Sequence, residues 1–146
     1  MKISQQRFAE ELADKYNTEY GKSVLLSAGT GAKLAEFDKK KASGNWPFHE
    51  LVGPLMWLST QTRPDIPNAA IAVARYCAAP KRVHWREALD ILEYVRRARS
   101  FWITFQIGSE GGLSLQAFAD ADCASKAADR RSVSGGFVIC GAACVS

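Results

Sequence analysis

"WREALDILEYVRRARSFWITFQIG", residues 85–108, decides the fold class, because within it the spacing of apolar residues changes from a helical to a strand period. In its first half, apolar side chains recur on one helix face and acidic and basic residues occupy the other, with Glu93 and Arg97 spaced for an ion pair. After Ser100 the segment is rich in aromatic and β-branched residues, which is typical of a strand. We therefore predict an α+β chain that is helical up to about Arg99 and β-structured beyond it.

Three further helices are predicted before this stretch. Phe8, Leu12 and Tyr16 recur every fourth position and place a first helix up to about Asn17, followed by a connecting loop over residues 18–45. A nearly all-apolar helix should begin at Pro47 and be buried. Pro54 lies inside it and, at a cost of about 3 kcal/mol in a regular helix, predicts a kink or break.

The third predicted helix has Asp65 as its cap, Pro67 in its first turn and Pro80 at its end. Downstream, LSLQAFADA and SVSGGFVIC alternate or carry branched residues as strands do, and Gly141 predicts a tight turn before a further strand. The chain thus divides into residues 1–99, which are helical, and residues 100–146, whose strands lack a covering helix and leave one sheet face bare.

Composition and charge narrow the class of protein. The 146 residues are 47% hydrophobic and 23% charged, as in a soluble globular protein, and no apolar run approaches the roughly 20 residues of a membrane span. We expect an intracellular protein with no membrane contact. The four cysteines are too scattered for a disulfide framework and, with only two histidines, give little support for a zinc site. The net charge of +4 comes with clustered basic residues, which suit phosphates as well as a solvated surface.

Two readings stay open for Asp120 and Asp122. In a regular strand both carboxylates share one face and can reach one Mg²⁺ ion, although a two-metal site needs further acids. Alternatively they form a polar strand end, with Asp122 capping the next turn. Arg130 and Arg131 follow as a donor-rich patch or a charge-balanced loop. His49 and His84 have no evident catalytic partner and are more typical of a helix surface or core.

Two motifs resemble a known family. The segment from Leu51, Val52 and Gly53 to "TRPD" at residues 62–65, and "FADADCASKAADRRSVSGG" at residues 118–136, resemble the pol polyprotein of copia-type retrotransposons, from the end of the reverse transcriptase into the ribonuclease H domain. The resemblance runs over nearly the whole chain, apart from the loop at residues 18–45. It implies a thumb- or connection-like helical part over residues 1–99, then the first antiparallel strands of an incomplete ribonuclease H-like sheet.

The resemblance also implies a function. Asp120 would be the first-strand metal-binding and catalytic aspartate, with Asp122 as an accessory Mg²⁺ ligand, in an enzyme that synthesises DNA from RNA and cleaves RNA in RNA:DNA hybrids. The helical part would grip the hybrid through its phosphates. The basic residues expected to do so are Arg63, Lys81, Arg82, Arg96, Arg97 and Arg99, and beyond the helical part Arg130 and Arg131 are also expected to bind nucleic acid.

Departures from the family pattern lower the expected activity of this chain. It begins after the family's paired polymerase aspartates and ends before the later ribonuclease H acids, so we expect it to be inactive alone. The expected partners are an RNA:DNA hybrid or other nucleic acid and the remainder of the pol polyprotein, in a cytoplasmic particle or the nucleus. The alternative is a non-catalytic nucleic-acid-binding or assembly module derived from the element.

Overall fold

The computed structural model describes residues 1–17, 45–105, 114–121, 132, 134–140 and 143–144. Within these residues the chain forms four helices and two small antiparallel sheets, so the predicted α+β class is confirmed. The helices are α1 (Gln6–Lys15), α2 (Phe48–Gln61), α3 (Pro67–Ala74) and α4 (Arg82–Arg97). The strands are β1 (Lys2–Ile3), β2 (Ile103–Thr104), β3 (Leu115–Ala121), β4 (Ser134–Cys140) and β5 (Ala143–Cys144). No helix in the described ranges is long and apolar enough to cross a membrane.

The hydrophobic core lies among the four helices. Helix α2 packs against α3 and α4, and α1 packs against α4, where the Tyr16 and Trp85 rings meet edge to face at 5.9 Å. The largest fully buried apolar side chains are Phe48, Leu51, Leu55, Leu58, Ile66, Val73, Ile91, Leu92 and Val95. Most come from α2 and α4, whose apolar faces were predicted from spacing, so the position of this core follows from the sequence pattern.

Helix α2 continues through Pro54 to Gln61, so the proline does not break the helix. Leu51, Val52, Leu55 and Leu58 are buried on either side of it. Each such side chain contributes roughly 1.5–3 kcal/mol when buried. Together they outweigh the roughly 3 kcal/mol that an internal proline costs.

The predicted cap of α3 is wrong, because Asp65 does not cap the helix. The N-cap residue is Ile66, which makes no side-chain cap hydrogen bond, and Pro67 lies in the first turn as predicted. The Asp65 carboxylate instead accepts two hydrogen bonds from Arg63. Two charge-assisted bonds stabilise the carboxylate more than one neutral backbone N–H would. Helix α3 ends at Ala74, earlier than Pro80.

The first sheet joins the start of the chain to the segment after α4. Strand β1 pairs antiparallel with β2. The backbone N–H of Phe105 donates to the Met1 carbonyl at 2.8 Å, and the terminal amino group of Met1 donates to the Phe105 carbonyl at 2.6 Å. The sequence pattern indicated β2 but not β1, because two residues are too few to show a period. This pair joins the two parts of the chain that the sequence divides at residue 100.

The second sheet has the order β3–β4–β5, with all neighbours antiparallel. Both predicted strands, β3 and β4, are confirmed; Gly141 itself lies outside the described residues. Every residue of β3 is solvent-exposed. Phe118 and Phe137, directly opposite each other, stack at 4.8 Å while remaining 47% and 45% exposed. The expected bare sheet is therefore present in the described part of the chain.

Candidate functional site

Asp120 lies near the end of β3, on the exposed face that also carries Phe118. One carboxylate oxygen, Oδ1, accepts a hydrogen bond from the backbone N–H of Ala121 at 2.9 Å. The residue opposite in the ladder is Gly135, and a β carbon there would meet no atom within 4 Å. Among the described residues nothing fills the space beside the carboxylate, so a cation or a phosphate-bound cation can approach it from that side.

The described residues do not complete a Mg²⁺ site around Asp120. Asp122, Arg130 and Arg131 lie outside the described ranges. Within those ranges no group of three or more His, Cys, Asp or Glu side chains could hold a metal ion. Mg²⁺ requires near-octahedral oxygen coordination, and hydrolytic sites with two metals need several carboxylates. Asp120 by itself can supply one ligand, so the described residues are too few to hold the ion by themselves.

Arg63, expected to contact phosphate, is instead a structural residue. Only 3% of it is exposed, and its Nε and Nη2 donate to the two Asp65 carboxylate oxygens at 2.8 and 2.7 Å. Its Nη1 donates to the backbone carbonyls of Val95 and Ala98 at the end of α4, at 3.4 and 3.2 Å. The guanidinium also lies 5.4 Å from the ring centres of Tyr94 and Phe101. It is therefore not available to a nucleic acid.

The arginines at the end of α4 are held by acidic side chains. Arg96 pairs with Asp14 at 3.7 Å and Arg99 with Glu10 at 3.0 Å, which joins this end of α4 to α1. Arg97 pairs with Glu93 at 2.8 Å, as the spacing predicted. Glu93 does not lie on the exposed face, however; it is buried, with one carboxylate oxygen lacking a hydrogen-bond partner among the described residues.

Lys81 and Arg82 lie at the opposite end of α4. Arg82 is exposed, whereas Lys81 is half-buried and its backbone N–H donates to Nδ1 of His84 at 3.1 Å. His84 is fully buried, and its ring stacks on that of Tyr76 with the ring centres 3.9 Å apart. It is therefore a core histidine, one of the two positions, helix surface or core, that were expected for it. Burial, and secondarily Lys81, lower the pKa of the His84 imidazole. Its neutral ring caps the helix rather than acting as a base.

Sequence reasoning missed two exposed arginines near this end of α4. Arg75 follows α3, and Arg86 lies one turn after Arg82. Neither belongs to a run of basic residues or to one of the two family-like motifs. The i,i+4 spacing of Arg82 and Arg86 could have identified the second.

Cys77, Cys140 and Cys144 form no disulfide. Cys77 is half-buried, and burial raises the pKa of its thiol. In the β4–β5 pair, Ile139 faces Cys144 and Cys140 faces Ala143. Cys140 and Cys144 therefore point to opposite faces of the sheet, which is incompatible with a disulfide between them.

Comparison with known proteins finds relatives among transposon polyproteins. The chain is 28% identical over 141 residues to the retrovirus-related Pol polyprotein from transposon TNT 1-94 of Nicotiana tabacum. It is 30% identical over 139 residues to the corresponding polyprotein from transposon RE2 of Arabidopsis thaliana. These alignments include 91% and 95% of the chain but only 10% and 9% of the polyproteins.

A much shorter relative is the secreted RxLR effector protein 161 of Plasmopara viticola. It is 30% identical over 102 residues, which are 70% of this chain and 70% of the effector. No protein-family model matches the chain. No solved structure matches it either.

Proposed function

Because this chain belongs to the family that contains the Pol polyproteins of copia-type retrotransposons and the shorter effector protein, we propose which part of Pol it represents. That part is the passage from the end of the reverse transcriptase, over residues 1–99, into the start of the ribonuclease H domain, over residues 100–146. The order of a four-helix unit followed by an antiparallel hairpin that carries Asp120 supports this proposal.

The parent activity is RNA-directed DNA synthesis together with Mg²⁺-dependent cleavage of RNA in RNA:DNA hybrids. In that activity Asp120 is a metal-binding residue, and Asp122 an accessory one. The observation that carries the proposal is the placement of Asp120 on an exposed strand face, opposite Gly135, where an added β carbon would meet no described atom within 4 Å. An exposed carboxylate in such a position can share a cation with a phosphate.

In this proposal the chain by itself does not cleave RNA. The described strands β3 and β4 supply one acidic side chain, Asp120, and Asp122 would add a second, whereas a two-metal site needs several carboxylates. Incubation of a labelled hybrid with the chain and Mg²⁺ or Mn²⁺ should yield no products. Metal-dependent cleavage that Asp120→Asn abolishes would contradict this claim of inactivity.

The assignment of Asp120 has a separate test. Mn²⁺ titrated into isotope-labelled chain should broaden the amide resonances of β3 around Asp120, and Asp120→Asn should remove that broadening. Glu11→Gln, which neutralises an exposed acid on α1, is the matched control and should leave the β3 broadening unchanged. Equal broadening in the wild type and in Asp120→Asn would contradict the assignment.

The second candidate is a non-catalytic nucleic-acid-binding or assembly module derived from the element. One observation favours it: the similarity to the effector extends over 70% of that short protein, so related sequences also occur outside long polyproteins. Binding of a hybrid that weakens steeply with salt, with no cleavage, supports the module. The partners in both cases are nucleic acid and, for the parent enzyme, the rest of the polyprotein.

A further inference from the structure

A group of basic side chains lies where α3 ends and α4 begins. Arg75 follows the last residue of α3, Lys81 is the N-cap of α4, and Arg82 and Arg86 lie within the first two turns of α4. The stacking of Tyr76 on His84 at 3.9 Å holds the end of α3 against the first turn of α4. We name Arg75, Arg82 and Arg86, all exposed, the α3–α4 basic corner.

The corner is electrostatically unfavourable in the free protein. The first turn of a helix is its positive pole, where acidic residues or anions stabilise it and cations oppose it by about 0.3–1 kcal/mol each. The first turn of α4 contains no acidic residue and begins with Arg82. An anion bound there would relieve both the helix pole and the neighbouring cations.

The two ends of α4 differ in how their arginines are engaged. At the C-terminal end Arg96 and Arg97 suit the negative pole and are paired with Asp14 and Glu93. At the corner, Arg75 and Arg82 form no ion pair with any described residue. An anion that binds at the corner therefore does not have to displace a carboxylate from either of them.

The acidic groups beside the corner do not neutralise it. Asp90, one turn after Arg86, interacts electrostatically with Arg86, and Glu87 is half-buried on the same helix. For Asp90, burial raises the carboxyl pKa, and the charge of Arg86 opposes this in part. Three exposed arginines thus lie beside two partly buried acids, Glu87 and Asp90, which leaves the corner with a net positive charge.

We propose that the α3–α4 basic corner binds the sugar–phosphate backbone of a nucleic-acid duplex, and that it, rather than the C-terminal end of α4, is the phosphate-binding surface of the helical part. The proposal rests on the proposed function, since a nucleic acid is the polyanion that a Pol-derived chain meets. The arginines belong to the turn after α3 and to the first two turns of α4 rather than to one pocket, an arrangement that suits a linear series of phosphates better than a single ion.

The experiment measures the binding of the full chain to a fluorescent RNA:DNA hybrid and to a DNA duplex over 50–200 mM salt. Three phosphate contacts predict a slope of about −2.7 in log K against log salt, or a loss of affinity of about 40-fold over that range. In Arg82→Gln/Arg86→Gln the slope should shrink by about 2, and affinity at 50 mM should fall at least about tenfold. Arg75→Gln alone should reduce the slope by about 1.

The matched control is Arg7→Gln/Lys15→Gln, which removes the same charge from exposed residues of α1. It should leave the slope within about 0.5 of the wild type. Circular dichroism checks that both double variants keep their helices. Equal losses in the two double variants, or no binding of either duplex by the wild-type chain, would overturn the proposal. Neither result bears on Asp120, whose metal binding is measured separately on β3.

Discussion

Replacing Arg63 by methionine should destabilise the helical unit more than any comparable change at a surface arginine. Arg63 donates four hydrogen bonds, two to the Asp65 carboxylate and two to carbonyls at the end of α4. Removing one member of a buried pair costs about 3–5 kcal/mol, because the remaining partner stays desolvated. The Asp65 side chain is 28% accessible and regains some hydration, which places the expected loss near the lower limit, about 3 kcal/mol.

Such a loss is large beside the roughly 5–15 kcal/mol that usually stabilise a domain. It corresponds to a fall of about 10 °C in the thermal midpoint. Methionine is chosen because it keeps an apolar chain near the rings of Tyr94 and Phe101, so that the loss reports mainly the polar contacts.

Urea unfolding followed by circular dichroism of the single and double variants measures the pair itself. Arg63→Met combined with Asp65→Asn should show a coupling energy of about 2 kcal/mol. The control cycle uses Arg7 and Glu11, a pair at 2.8 Å whose side chains are 92% and 61% exposed, and should show no measurable coupling. A loss below about 1 kcal/mol for Arg63→Met would refute the reasoning, because burial could not then be what strengthens the pair.

The pair of Arg63 and Asp65 also predicts how the stability of the folded chain depends on pH. Burial tends to raise the pKa of the Asp65 carboxyl, but its hydrogen bonds and charge interaction with Arg63 outweigh burial and lower the pKa below 3.8. The folded chain therefore binds this proton less readily than the unfolded chain, and the resulting stability is lost as the pH falls below about 3.8. Arg63→Met should lose less stability than the wild type over that interval.

Three further predictions concern other elements. Burial and the nearby Lys81 ammonium lower the pKa of the His84 imidazole below 6.5, so the folded chain binds fewer protons than the unfolded chain. The urea concentration at the unfolding midpoint should therefore decrease as the pH is lowered from 7.5 to 5, and His84→Gln should make that decrease smaller. Burial raises the pKa of the Asp90 carboxyl, which makes its ionised form unfavourable at neutral pH, so Asp90→Asn should raise the thermal midpoint at pH 7. A β carbon at Gly136 would lie 3.0 Å from the Phe118 carbonyl oxygen, so Gly136→Ala should destabilise the hairpin by about 1 kcal/mol and speed its amide exchange, whereas Gly135→Ala, with open space, should not.

The elements with sustained periods were predictable from the sequence. The spacing of apolar residues in α1 and α4 and the apolar run of α2 indicated helices at the correct places. The change at Ser100 indicated the shift to strands. Two-residue β1 was missed because pairing with β2, far along the chain, defines it.

The candidate site was predictable in part. The aspartate of the strand LQAFADA was expected at a strand end, and Asp120 lies there on an exposed face. The role of Arg63 was not predictable, because its carbonyl acceptors belong to α4, about thirty residues later. A basic residue in a sequence shows that charge is present, but not whether an acid from another helix neutralises it.

By itself the sequence determined the kind of each long element and most of the apolar helix faces, because both depend on periods that neighbouring residues set along the chain. It did not fix every core position, since Phe8 is exposed and Glu93 is buried. The sequence also places the chain in its family, since it is about 30% identical to the relatives described above. Only the tertiary structure decided which arginines form ion pairs and which stay exposed. Packing of α1 against α4 joins Arg96 and Arg99 to acids more than eighty residues away, while Arg82 at the other end of α4 stays exposed. Electrostatic pairing depends on distance in space, which the order of residues does not specify.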